Sequence, residues 1–209
     1  QEKVFRYDDT TGNLVYQKDS STNQDAVELY IRYHQDPGNH CISLVSEVEI
    51  PGYRKRTTEI DNKGHIIAIM DYYTAGNALI SQMQYDKYGN IICMRSPNTT
   101  TYFEYDSLIH TYPTVIRDTF GVATYLQDYD YRFGIPKTVI DNAGNRMEYT
   151  LDNRGRILTI RGPKEIENDV PYTIKHTYLG KDSNNAVSCA MTEHYDPQHP
   201  DNPIKTYSY

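Results

Sequence analysis

The sequence predicts an all-β protein, an antiparallel sheet that meanders and spirals through repeated β-hairpins. Three observations carry that prediction. A phrase made of Asp, two spacers and Gly recurs along the chain. A short β-branched or aromatic run follows most copies, and no stretch shows convincing helical periodicity.

The phrase stands at Asp9 to Gly12 (DTTGN), Asp61 to Gly64 (DNKGH), Asp86 to Gly89 (DKYGN), Asp118 to Gly121 (DTFGV), Asp141 to Gly144 (DNAGN) and Asp152 to Gly155 (DNRGR), with DYRFG at 130 to 134 a stretched variant. An Asp opening a turn accepts a hydrogen bond from the backbone two residues on, and a Gly in fourth place adopts positive φ with little strain. These are hairpin loops of the longer kind. The runs that follow, NLVYQ, HIIAI, NIICM, RMEYTL and RILTI, read as strands. In RMEYTL, Met147, Tyr149 and Leu151 fall on one face and Arg146, Glu148 and Thr150 on the other. NIICM and HIIAI are apolar on both faces, which predicts strands covered on both sides.

The best helix candidate, DAVELYIRYH at 25 to 34, reads equally as a strand, because Val27, Leu29, Ile31 and Tyr33 recur at period two. Intervals between turn glycines run from 11 residues (Gly144 to Gly155) to 52 (Gly12 to Gly64), which excludes a fixed solenoid period. About fifteen strands of ordinary length account for most of the chain. We read residues 1–209 as one continuous segment, with repeat-bearing hairpins at 1–163 and degenerate strands and a Pro-rich loop at 164–209. The main break is the charged, Pro-bounded connection RGPKEIENDVP at 161 to 171.

Composition narrows function by exclusion. A chain of 209 residues is long enough to bury a substantial core. Its 21 Tyr against 4 Phe and no Trp, with a mean hydropathy of −0.73, suit broad, half-exposed sheets. The net charge of −7 is spread along the chain, so nucleic acid is not an expected partner. The one basic stretch, YRKRTT at 53 to 58, reads as a solvated strand face or edge guard. No run is long and apolar enough for membrane insertion, and no signal peptide is present. The first residue is Gln, so the expectation is an excised segment whose targeting signals lie outside it. Cys41, Cys93 and Cys189 are too few and too dispersed to organise a disulfide framework or a metal knuckle.

The sharper chemical readings are weaker than structural ones. The Asp turns lack the alternating acids of a calcium loop. His194, Asp196, His199 and Asp201 match no established zinc spacing. LGKDS at 179 to 183 has a Gly-Lys without the glycine loop of a phosphate cradle and reads as a turn. No nucleophile elbow or paired-carboxylate motif stands out, so the expectation is a protein without enzymatic activity and without a cofactor or metal.

Five Tyr-Asp dipeptides, at 7, 85, 105, 129 and 195, combine with these turns and their trailing apolar strands. The pattern resembles the YD repeats of RHS-repeat proteins: bacterial polymorphic-toxin shells, the B and C components of Tc toxins, and teneurins. YDKYGNIICMRSP and IDNAGNRMEYTLDNRGRILTIRGP are the best matches, and YDYRFGIPKTVID a looser one. Recognisable phrases run from about 57 to 163, and the opening YDDTTGNLVYQKD is another. The tail TEHYDPQHPDNPIKTYSY is similar to an inter-repeat segment of the toxin-associated members.

The resemblance implies a sheet wound in a spiral that, in complete members, encloses a C-terminal toxic polypeptide. Neither the shell-closing core nor the Asp-based self-cleavage motif is in this sequence, so it implies wall only. It also implies a secreted or cell-surface parent, with the other repeats of that parent and an encapsulated effector as partners. Two function classes follow. The first is a structural scaffold. The second is a carbohydrate-binding adhesion module in which exposed Tyr rings stack on a glycan, with Tyr72, Tyr73, Tyr102, Tyr125 and Tyr129 as candidates. Cut from a larger sheet, the segment should expose an unpaired edge and associate edge to edge as a dimer.

Overall fold

A computed structural model describes residues 2–21, 24–36, 38, 41–74, 76–180 and 188–209. Its contacts divide the chain into two compact units, Gln1–Tyr102 and Phe103–Tyr209.

In the first unit each strand pairs antiparallel with the next. The order is β1 (Glu2–Tyr7), β2 (Leu14–Ser21), β3 (Gln24–Tyr33), β4 (Val45–Ile50), β5 (Arg54–Ile60), β6 (Ile66–Thr74), β7 (Asn77–Tyr85), β8 (Ile91–Ser96) and β9 (Thr99–Tyr105), the last running on into the second unit. The ambiguous stretch at 25 to 34 is therefore strand β3, because period two lets it alternate between the faces of a sheet.

The second unit repeats the meander through β10 (Pro113–Asp118), β11 (Ala123–Asp130), β12 (Ile135–Ile140), β13 (Arg146–Leu151), β14 (Ile157–Arg161), β15 (Ile174–Leu179), β16 (Cys189–His194) and β17 (Ile204–Ser208). The described residues thus hold seventeen strands, all antiparallel, where sequence counting expects about fifteen. They also hold one short helix, α1 (Pro163–Glu167), inside the connection read as a charged break. Gly162 caps it in an extended conformation and Pro163 opens its first turn, where a missing N–H costs nothing.

Burial is shallow. Among the described residues only Cys41, Ala68 and Ala123 are buried apolar side chains, and no large side chain is fully buried. Among the described residues neither unit holds the substantial core expected from chain length, because neighbouring strands in a meander cover one another edge to edge rather than face to face. Strand β8 shows this directly: Ile92 and Met94 are 36% and 40% exposed, so the two-sided cover expected for NIICM does not form.

Cross-strand charge supplies part of what the core does not. Glu47 sits between Arg32 (2.9 Å) and Lys55 on the flanking strands, and Glu193 between Lys175 (3.0 Å) and Lys205 (3.3 Å). Arg56 grips Asp71 through two 2.7 Å bonds. The basic run at 53 to 58 is thereby neutralised by carboxylates of β4 and β6, as a strand face rather than a phosphate track.

Tyrosine closes the register. The β1/β2, β5/β6 and β13/β14 pairs each shift by one residue just before the turn, skipping Val15, Ile67 and Leu158. Such bulges interrupt the ladder. The carbonyl immediately before each skipped residue receives a phenol from the next strand: Tyr33 donates to Leu14 O at 2.8 Å, Tyr85 to Ile66 O at 2.8 Å and Tyr178 to Ile157 O at 2.9 Å. Tyr129 donates to Pro113 O at 2.6 Å in the same relation, from the end of one strand to the start of its neighbour. Phenylalanine cannot do this, which gives Tyr33, Tyr85, Tyr129 and Tyr178 a reason to be Tyr. Replacing Tyr85 or Tyr178 with Phe keeps the ring and loses the bond, so each should lower stability by about 1 kcal/mol in urea unfolding. Tyr53→Phe, at a highly exposed ring, should leave it unchanged.

Candidate functional site

The most developed local geometry lies in the turns. At Asp61 the carboxylate Oδ1 accepts the backbone N–H of Lys63 (2.8 Å) and of His65 (2.9 Å), while Oδ2 meets His65 Nδ1 at 2.9 Å. Asp61 N–H donates to His65 O, and Gly64 N–H to Asp61 O. Asp86, Asp141 and Asp152 repeat this arrangement, with Oδ2 taking Asn90 Nδ2, Asn145 Nδ2 and Arg156 Nε. Asp118 keeps both backbone bonds, to Phe120 and Val122. The Asp therefore clamps the residues two and four places on, and the amide, imidazole or guanidinium that often follows the Gly occupies its second oxygen. The turn glycines Gly64, Gly89, Gly121, Gly144 and Gly155 all carry positive φ, between 80° and 89°.

At the first repeat the structure moves the clamp from Asp9 to Asp8. Asp8 Oδ1 accepts Thr10 and Thr11 N–H, and Gly12 N–H returns to Asp8 O. The loop is one residue longer than the standard phrase, as at Asp130, whose carbonyl accepts Gly134 N–H in the same way. The glycine-free turn after Tyr105 escapes the phrase altogether. Buried Asp106 accepts four backbone N–H groups, from Leu108, Ile109, Thr111 and Tyr112, and His110 takes the left-handed conformation at φ 56° that Gly supplies elsewhere. Its Tyr-Asp dipeptide was the only signal for it.

These bonds favour the ionised carboxylates. Asp141 is held below its ordinary value by the Asn145 side chain and then the Asn145 backbone N–H. At Asp61, Asp86 and Asp152 desolvation pushes upward but is outweighed by hydrogen bonds from residue i+4, and at Asp106 by its four backbone donors.

Alternate turns, which share one edge of the meander, also pack on one another. A Cβ built on Gly64 would lie 2.8 Å from Cys41 Sγ, one on Gly134 2.5 Å from the Tyr112 ring, and one on Gly155 2.6 Å from the Phe133 ring. His65 fills the equivalent space at Gly89, at 3.3 Å, and stacks on Tyr85 with centroids 4.6 Å apart. Gly64, Gly89, Gly134 and Gly155 thus serve twice, as left-handed hinges and as seats for a side chain of an earlier turn, whereas Gly12, Gly121 and Gly144 serve as hinges alone.

Of the five candidate sugar-stacking tyrosines, Tyr72, Tyr73 and Tyr102 belong to the first unit and Tyr125 and Tyr129 to the second. Tyr129 has its hydroxyl on Pro113 O and its face on Tyr112, parallel at 5.2 Å, leaving that face no room for a sugar ring. Tyr73, Tyr102 and Tyr125 are exposed, and no two of the five form a ring pair among the described residues. Tyr72 and Tyr73 line a cleft of about 530 Å³ with Tyr53, Arg54, Lys55 and Glu49. In the Pro-rich loop, Asp196 accepts Gln198 N–H and pairs with His199 Nδ1 at 2.9 Å, and no group of three or more potential ligands is placed to hold a metal among the described residues. Cys41, Cys93 and Cys189 form no disulfide among the described residues. Residues 181 to 183 of the LGKDS turn lie outside the described residues. No helix among them is long and apolar enough to cross a membrane.

No protein-family model and no curated protein matches the sequence. Solved structures do. A crystal structure of TcdB2-TccC3-Cdc42 aligns over 99% of this chain with 10% identity and a TM-score of 0.48, one of TcdB2-TccC3 with 10% identity and 0.47, and a Photorhabdus luminescens Tc holotoxin pore with 10% identity and 0.46. The chain spans 14% of the length of each. The YD-repeat reading rests on the phrases and on the turns they build.

Two outcomes follow from the turns. Because the folded-state values of Asp61, Asp86, Asp141 and Asp152 are depressed, the stability they confer is complete above the ordinary Asp value of 3.8 and is lost as pH falls through the lowered values. Urea midpoints measured against pH should hold level down to that value and then drop, with a shallower drop in the double variant Asp86→Asn/Asp141→Asn. Gly144→Ala meets no neighbour and should cost only the left-handed strain of about 1–2 kcal/mol. Gly155→Ala must also displace Phe133 and should cost more, the excess disappearing in a Phe133→Ala background.

Proposed function

We propose that this chain is one continuous segment of the β-sheet wall of an RHS-type, YD-repeat protein, a non-enzymatic scaffold that encapsulates or displays an exported, toxin-like polypeptide. The observation that supports the reading best is the turn itself. Asp fixes the loop, Tyr ties the bulged strand start to its neighbour, and at Gly64, Gly89, Gly134 and Gly155 the glycine seats a side chain from an earlier turn. A unit whose contacts point to the units before and after it can be added repeatedly, which suits a wall and needs no enclosed core. Its partners would be the other repeats of its parent chain and the sequestered effector, and the parent would be secreted or held at the cell surface.

Limited proteolysis of the full-length parent with mass spectrometry tests this. Survival of a C-terminal polypeptide while the exposed 194–203 loop is nicked is the expected outcome. Loss of that polypeptide at the same rate as the loop would exclude enclosure.

A carbohydrate-binding surface is the second reading, and it rests on the cleft beside Tyr72 and Tyr73, where exposed rings adjoin Arg54 and Glu49. Binding on a glycan array that Tyr73→Ala removes would support it, and an array without binders would end it. The isolated segment, with exposed β17 as a terminal strand, should associate edge to edge. Sedimentation at increasing concentration should show dimers, and a monomer throughout would sink that expectation.

A further inference from the structure

Tyr16 and Tyr30 stand directly opposite one another on β2 and β3. Their ring centroids are 5.2 Å apart and the planes are tilted by 59°, so the rings meet edge to face rather than overlapping. Tyr30 donates its hydroxyl proton to Glu28 Oε2 at 3.0 Å. The other carboxylate oxygen is held by Lys18 at 3.2 Å, and the Arg6 guanidinium lies 4.8 Å over the Tyr16 ring. Tyr30 is 39% exposed, open to a diffusing oxidant.

We propose that this pair is an oxidative cross-linking site, at which a peroxide-fed one-electron oxidant joins Tyr16 to Tyr30 as dityrosine and covalently staples β2 to β3. Each phenol gives up one electron to the oxidant and one proton, that of Tyr30 passing to Glu28 as general base. The two phenoxyl radicals couple through a new carbon–carbon bond between ring positions ortho to the oxygens. The two ortho hydrogens then move to the phenol oxygens and restore both rings. Two tyrosines lose two protons and two electrons in all, and one hydrogen peroxide accepts them to become two waters.

The carboxylate distinguishes this pair from the other close one. Tyr112 and Tyr129 lie parallel, 11° apart, and Tyr129 donates to a backbone carbonyl, which cannot take the proton. Proximity alone therefore predicts both pairs, and the proposal predicts one.

The 209-residue chain is treated with a peroxidase and hydrogen peroxide, digested, and analysed by mass spectrometry. The expected product is a monomeric chain in which the Tyr16 and Tyr30 peptides are joined with the loss of two hydrogen atoms. Tyr30→Phe, which keeps the ring and loses the phenol, should abolish it. Glu28→Gln should slow its formation, and Lys18→Met, which leaves the carboxylate more basic, should speed it. Coupling at Tyr112–Tyr129 or between exposed tyrosines of different molecules, with Tyr16 and Tyr30 unjoined, overturns the site. Unchanged rates in both charge variants overturn the role of Glu28.

Discussion

The carboxylate of the turn Asp is the constraint on which the rest of this protein depends. A five-residue loop between antiparallel strands leaves several backbone N–H groups without a ladder partner, and an unmade hydrogen bond in a part-buried loop is expensive. One ionised oxygen gathers two of them, and the second oxygen fixes the side chain that enters the next strand. Because the acceptor is charged, each bond is stronger than its neutral equivalent. The same solution appears with Asn, His or Arg in the following position, and at Asp106 it operates without any glycine.

That local solution matters because these units have so little interior. Where a two-layer domain would bury large apolar side chains, the buried apolar residues among those described are a cysteine and two alanines. Order has to come from strand pairing, from carboxylates bracketed by cations on both flanking strands, and from phenols closing the bulges. Each contribution is small and local. Their sum grows with the number of strands, which is how a sheet extended by repetition differs from a domain closed around one core.

The polar character of the scheme also explains why the most chemically suggestive residues carry no obvious chemistry. The turn carboxylates spend their lone pairs on backbone donors of their own loops. Asp196 and His199 hold each other, and the cations of the 53 to 58 stretch face Glu47 and Asp71. Tyr16 and Tyr30 are the contrast, two facing phenols of which the exposed Tyr30 donates to a side-chain carboxylate.

Much of this was legible in the residues alone. Turn position, strand identity and the all-β class follow from Asp and Gly spacing and from period two, because those signals arise within a few residues of chain. The extra residue that moves the first clamp to Asp8, and the glycine-free loop at Asp106, were not legible, since loop length is settled by how the flanking strands pair. Nor could the sequence separate the tyrosines. Tyr129 and Tyr73 look alike in a string of letters, and only the position of a carbonyl one strand away makes the first a clamp and leaves the second exposed. Local hydrogen-bonding capacity is written in the sequence, whereas the partner that uses it comes from another strand and exists only once the sheet has formed.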